Sequence, residues 1–337
     1  MKRFISTISI LMAIALVNSN AQDSRPELGI NLEGYNYPYQ VEFYKVHSQQ
    51  QALDMAFMFE QADTPNGRTV LMFHGKNFNG AYWEQTMDAL LEEGYNVLVP
   101  DQIGFGKSSK PAHYHYTFHQ LAENTKNLID SLGVSQVSVL GHSMGGMVAT
   151  RFSLMYPETV ERLVLENPIG LEDWKTMVPY AGLETWYQGA LNRTFEGVKS
   201  YMRSSYFEGE WQEKYNEWVH LLTAMRNSPD WERYAWNSAL TYDMVFTQPV
   251  VYEFEDLQMH TTLIIGQRDR TALGTGLVAD SVAAKMGNYP QLGKETAAKI
   301  PNSTLIELND IGHLPHIEDF DLFISKLLPA LEQGTAQ

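Results

Sequence analysis

Cysteine is absent from all 337 residues, which excludes disulfides, thiol nucleophiles, cysteine-ligated metals and a lipidated cysteine anchor in one step. Positive charge is scarce: 24 Lys and Arg stand against 40 Asp and Glu, for a formal net charge of -16 and a pI near 5.0. Nucleic acid and anionic membrane surfaces repel such a polyanion, so neither is expected as a partner, and a small-molecule substrate is. No His-Glu-x-x-His zinc motif, internal repeat or low-complexity segment occurs. Nothing in the composition specifies an oligomeric state.

Hydrophobic residues make up 44% of the chain and charged residues 19%, a balance that buries a core rather than leaving the chain disordered. The length suits one large α/β domain with an inserted subdomain. The first residues, "MKRFISTISILMAIALVNSNAQDS", have Lys2 and Arg3, an apolar run from Phe4 to Val17, then Ser19 and Ala21 in small-x-small spacing. This is the pattern of a secretory signal, residues 1–21, cleaved after Ala21. The apolar run is shorter than the ~20 residues that a membrane-spanning helix needs. Cleavage would leave 22 basic and 40 acidic residues, a net charge of -18. The expected location is periplasmic or secreted, with no membrane attachment after cleavage.

Residues 37–62 alternate apolar and polar positions about a polar turn, as in an antiparallel hairpin. Beyond them come six short apolar runs, at 68–75, 95–101, 136–143, 161–168, 260–269 and 303–310, of the kind found in strands buried on both faces. Helix-like segments at 82–93, 118–132 and 144–156 separate the first four. The predicted architecture is α/β: a mostly parallel central sheet with helices on both faces. The alternation lapses between about Gly170 and Glu255, where six of the seven tryptophans occur. This stretch reads as an inserted helical cap, giving a core of 22–169, a cap of 170–255 and a second core part of 256–337.

The chemistry centres on "VSVLGHSMGGMVA". A strand ending in Gly-x-Ser-x-Gly and running directly into a helix forces Ser143 into a tight bend, which Gly141 and Gly145 permit because they lack a Cβ. The hydroxyl is thereby presented at the carboxyl edge of the sheet, above the positive end of the next helix. A serine needs a base. "NDIGHLPHIEDFDLF" places His313 just after the last strand, and His316 at the start of a helix where packing is its more natural role. Asp269, in "LIIGQRDRT", ends the preceding strand and is the preferred acid over Asp256, Asp280 and Asp310. Two backbone N–H groups are needed for the developing oxyanion, and Met144 and Lys76 are the candidates. His74, beside Lys76, reads as a loop-orienting residue.

Two other patterns carry no chemistry of their own. "DQIGFGKSS" contains Gly-Lys-Ser, but Asp101 stands where a phosphate loop requires its first glycine. The segment reads as a rim loop braced by Asp101. His113, His115 and His119 lie in a polar loop and read as surface residues rather than a zinc site. No cofactor and no metal are expected.

Taken together, "HGKNFNG", "DQIGFGKSS", "GHSMGG", "GQRD" and "GHLPHIED" resemble the α/β-hydrolase fold family from about residue 37 to 330. The resemblance implies Ser143 as nucleophile, Asp269 as acid, His313 as base, the amides of Lys76 and Met144 as oxyanion donors, and a lid at 170–255. The chain departs from the family in the long glycine-bearing stretch between Asp269 and His313. Epoxide hydrolases and haloalkane dehalogenases share several of these loops, but their nucleophile is an aspartate. The expected reaction is hydrolysis of a small, largely apolar carboxylic ester through an acyl-enzyme. Carbon–carbon bond or lactone hydrolysis is the alternative, and after it a proline-type aminopeptidase gripping an amine with Glu208, Glu210 and Glu213.

Overall fold

The computed structural model describes residues 28–332; the expected signal segment lies outside them. Eight strands, β1 (Glu42–Ser48), β2 (Gln51–Glu60), β3 (Thr69–Phe73), β4 (Asn96–Pro100), β5 (Val137–His142), β6 (Val160–Glu166), β7 (His260–Gly266) and β8 (Ser303–Leu308), form one sheet in the order β1-β2-β4-β3-β5-β6-β7-β8. The β1–β2 hairpin is antiparallel and β2 runs antiparallel to β4; every later pairing is parallel. Each of the six apolar runs is a strand, so the α/β architecture expected from the sequence is the one observed.

The helices in chain order are α1 (Glu84–Glu92), α2 (Phe118–Ser131), α3 (Met144–Met155), α4 (Leu183–Leu191), α5 (Phe195–Ser205), α6 (Asn216–Thr223), α7 (Trp231–Thr247), α8 (Asp280–Ala283), α9 (Tyr289–Lys299), α10 (Pro315–Glu318) and α11 (Phe320–Glu332). Successive strand residues point to opposite faces, and two cores result. Leu71 and Phe73 of β3 join the core under α2 and α3, whereas Val70 and Met72 join the one under α1 and α11. A helix-covered sheet of this kind buries its strands on both sides, which is why they read as unbroken apolar runs.

Between Glu166 and His260 the described chain forms no strand, and α4 to α7 lie above the carboxyl edge of the sheet. This helical region is fastened to the core on two sides. The backbone N–H groups of His313 and Arg270 donate to the carbonyls of Tyr206 and Ser205, at 2.8 and 3.0 Å. On the other side Asn237 of α7 donates to the Gly104 carbonyl (2.7 Å) and accepts from the Tyr116 hydroxyl (2.6 Å). The strand order reverses at β3, flanked by β4 and β5, and a crevice at such a reversal is where open α/β sheets place their ligands.

Candidate active site

Strand β5 ends at His142 and α3 begins at Met144, so Ser143 alone makes the turn, at φ 56° and ψ -123°. A residue with a side chain held there costs on the order of 1–3 kcal/mol and persists only where its surroundings over-determine it. Here they do. The Ser143 N–H donates to the Glu166 carbonyl at 3.3 Å, and the Ser143 carbonyl accepts from Gly146 (2.9 Å) and Ile169 (3.1 Å). A Cβ on Gly141 would lie 2.5 Å from the Gly145 carbonyl oxygen, and one on Gly145 only 2.1 Å from the Phe73 carbonyl oxygen. The two glycines thus let α3 seat against the ends of β5 and β3.

The Ser143 hydroxyl lies 3.0 Å from Nε2 of His313, and Nδ1 of His313 lies 2.6 Å from Oδ2 of Asp269. Asp269 follows β7 by three residues and His313 follows β8 by five, so three neighbouring loops of the sheet's carboxyl edge supply the set. His313 and Asp269 are wholly buried and Ser143 is 5% exposed. The carboxylate is fully engaged: Oδ2 also accepts from Nδ2 of Asn167 (2.9 Å) and Oδ1 from the Thr271 N–H (2.8 Å). An ionised carboxylate only accepts, so His313 Nδ1 carries the proton and Nε2 turns its lone pair to Ser143. Asp256, Asp280 and Asp310 are exposed and take no part. His316 points away, its Nδ1 donating to Glu166 Oε1 at 2.7 Å and its ring stacked on Trp83.

Phe73 pairs with Gly141, and the same register continued past the strand ends puts Gly75 level with Ser143. Lys76 follows Gly75 in that loop and Met144 is the first residue of α3, and among the described residues neither amide donates to a protein acceptor. A chain of polar contacts holds these loops together. The Gly75 N–H donates to the Tyr82 hydroxyl (2.9 Å), which lies 3.0 Å from Nδ1 of His142, and Nε2 of His142 lies 2.8 Å from the His313 carbonyl. A carbonyl only accepts, so His142 donates through Nε2 and Tyr82 donates to Nδ1. His74 works in the same way: its Nε2 accepts from the Gln102 N–H (3.1 Å), leaving Nδ1 to donate to the Gly75 carbonyl (2.9 Å). It orients the loop, as the sequence implied. Asp101 braces the rim, taking the N–H groups of Gly80 and Lys107, each at 2.7 Å.

Burial holds the pKa of both His74 and His142 below the ordinary histidine value of 6.5. Above pH ~6.5 both are neutral folded or unfolded and impose no slope. As pH falls below ~6.5 the unfolded chain takes up protons that the folded chain refuses, so stability falls by up to roughly 1.4 kcal/mol per pH unit for each histidine. The urea midpoint is expected to drop between pH 7 and 5.5, and to drop less in His74→Gln. An equal drop in the variant would remove His74 from this account.

A cavity of about 340 Å³ opens beside Ser143. Its aromatic walls are Tyr201, Tyr206 and Tyr242, and no tryptophan lines it. Trp174, Trp218 and Trp231 are instead buried in the packing of the helical region, at 3–8% exposure. Lys76 and Arg193 also line the cavity, and among the described residues no Asp or Glu does. Glu208, Glu210 and Glu213 are exposed, as are His113, His115 and His119. Among the described residues no group of three or more His, Cys, Asp or Glu is arranged to hold a metal ion.

Sequence reasoning missed Asn167, Tyr82, Tyr206 and Arg193. Asn167 left one readable trace, as a polar residue directly after the apolar strand β6, and it adopts φ 36° at the sheet edge. Tyr206 packs against the His313 ring, centroids 4.4 Å apart and planes tilted by 30°, with its hydroxyl accepting from Asn77 Nδ2 at 2.8 Å. Nothing in its local sequence announces that contact.

Residues 68–244 match the model of the alpha/beta hydrolase fold. A solved structure of a probable hydrolytic enzyme from Pseudomonas aeruginosa is 50% identical, with a TM-score of 0.89 over 91% of this chain and 98% of its own. A cis-3-alkyl-4-alkyloxetan-2-one decarboxylase from Shewanella oneidensis is 27% identical over 48% of this chain, and the match spans 55% of that protein, about half its length. A 2-hydroxy-6-oxononadienedioate/2-hydroxy-6-oxononatrienedioate hydrolase from Comamonas testosteroni is 24% identical over 70% of this chain and 85% of its own.

Proposed function

Because the chain belongs to the α/β-hydrolase fold family and is a hydrolase, we propose that it is a serine hydrolase cleaving a small carboxylic ester by way of an acyl-enzyme. The observation that carries this reading is the 3.0 Å contact of Ser143 with a histidine whose other nitrogen is fixed on Asp269. In the proposed cycle His313 Nε2 takes the Ser143 proton as Oγ bonds to the ester carbonyl carbon. The amides of Lys76 and Met144 receive the resulting oxyanion, a contribution worth roughly 100-fold to 1000-fold per donor. Collapse of the tetrahedral species breaks the carbon–oxygen bond, and the departing alkoxide leaves as alcohol with the proton from His313. Water then attacks the acyl-enzyme, giving its proton to His313; the acid is released and the proton returns to Ser143.

A p-nitrophenyl ester series from acetate to decanoate tests the reading. Turnover with an optimum at a short or medium acyl chain is expected, since the cavity is only about 340 Å³. Absence of turnover on every member, with the protein folded, would overturn it. Carbon–carbon bond hydrolysis is the second reading, favoured by the relative from Comamonas testosteroni, whose match covers 70% of this chain. The aminopeptidase reading loses its support, because the three glutamates meant to grip an amine face solvent.

Export belongs to the same proposal. Periplasmic or secreted protein whose first residue is Gln22 is expected on amino-terminal sequencing; a retained Met1 would count against it.

A further inference from the structure

The whole chain is strongly acidic, yet among the described residues the only charged side chains lining the cavity beside Ser143 are Lys76 and Arg193. They sit close together. The Ser238 hydroxyl is 3.4 Å from the Lys76 ammonium and 3.3 Å from the Arg193 guanidinium. Their other neighbours are neutral: the Ser238 carbonyl and the Tyr242 ring for Lys76, and the Tyr234 hydroxyl for Arg193. Neither pairs with a carboxylate among the described residues. A smaller pocket adjoins them, and its one further charged residue, Lys110, is also basic. Burial and the nearby guanidinium push the Lys76 pKa down to about 7, as befits a cation enclosed without a counter-charge.

Lys76 and Arg193 are half-buried on the cavity wall, and two like charges sharing one hydroxyl there repel each other with no carboxylate to offset them. An anion that enters from outside would supply the missing partner and hold Lys76 protonated. We propose that Arg193 and Lys76 form a carboxylate-binding end of the cavity, so that the ester cleaved at Ser143 also carries a free acid group. This rests on the ester reading for the reaction and adds the substrate class. A planar guanidinium fork suits the two oxygens of a carboxylate, and the ammonium beside it adds a second charge-assisted bond. Apolar residues lining the same cavity as Ser143, such as Ile169 and Leu273, suit a short hydrocarbon spacer.

The test compares substrates of equal length with and without the second acid. Mono-p-nitrophenyl adipate against p-nitrophenyl hexanoate places the carboxylate on the acyl side; 4-acetoxybenzoate against 4-acetoxybenzamide places it on the leaving group. A preference in kcat/KM of tenfold or more for the acid is expected in one pair, carried mainly by KM, and the preference should fall at least tenfold in Arg193→Gln. Arg193→Glu should favour an ester bearing an amine instead. The wild-type comparison needs no variant, so a misfolded Arg193 variant does not remove the test. Equal or poorer rates for the acid in both pairs would overturn the proposal while leaving ester hydrolysis standing. Should no ester be hydrolysed, calorimetric titration of the wild-type protein with adipate and with 1,6-hexanediol decides separately. Binding of adipate alone keeps the anion site and discards only the reaction; equal or absent binding discards the site.

Discussion

Ser143→Ala is expected to lower kcat for p-nitrophenyl ester hydrolysis by about 10⁵-fold to 10⁶-fold, close to the loss seen when a serine nucleophile is removed from a set that acts as a unit. The effect is this large because no neighbouring group can take over. Among the described residues the one hydroxyl within hydrogen-bonding reach of the His313 lone pair is that of Ser143, at 3.0 Å, and the chain has no cysteine. The fold should survive. Alanine occupies the same φ of 56° at a similar steric cost, and the bonds that fix the turn run through the backbone of residue 143 rather than its side chain. Unchanged urea unfolding together with abolished turnover is the expected pair of results. Residual activity above a hundredth of the wild type would remove Ser143 from the role of nucleophile.

Asp269→Asn is expected to lower kcat by about 10⁴-fold with the structure intact, through the tautomer of His313. The argument turns on which end of the new amide faces the ring. Oδ1 accepts the Thr271 N–H at 2.8 Å, so the asparagine oxygen stays there and its NH₂ faces His313. That NH₂ would also meet the Nδ2 group of Asn167, donor against donor. Asn167 cannot turn over without losing the bond in which its Oδ1 accepts from the Gly266 N–H at 2.9 Å. With an N–H pointing at it, His313 Nδ1 must accept, its proton moves to Nε2, and the lone pair that should draw the proton from Ser143 is gone. Steady-state rates on any turned-over ester measure this, and near-normal rates would shift the acid's role elsewhere. Because the loss comes from a proton on the wrong nitrogen, Asp269→Glu should retain more activity than Asp269→Asn.

Much of this arrangement was legible along the chain, for local reasons. Strands such as β3 and β5 are buried on both faces, so their apolar runs stand out without any tertiary information. Ser143 was legible because its strain is relieved by glycines only two residues away on either side. Asp269 and His313 were legible because sheet topology sends strand-following loops to one edge. Distance in sequence hid the rest. Tyr206 reaches His313 across more than a hundred residues, and Asn167 reaches Asp269 across a similar gap. Neither contact leaves a period or a spacing in the sequence. The tryptophans of the helical region marked its extent, but whether they faced the substrate or each other depended on packing. Trp174, Trp218 and Trp231 are buried in the packing, and Trp186, Trp211 and Trp236 are half-buried against Tyr242, Phe207 and Tyr187, while tyrosines line the cavity.

The two-sided fastening of the helical region has a consequence for molecular traffic. At one side the carbonyl of Tyr206 holds the backbone N–H of His313 itself, and at the other Asn237 bridges the Gly104 loop and Tyr116. Lifting such a region as one hinged body would break these bonds, including the one on the backbone of the proton-accepting histidine, at about 0.5–1.5 kcal/mol each. Substrate and product are therefore expected to pass by local side-chain movements at the mouth of the cavity, at less cost than a swing of the whole roof.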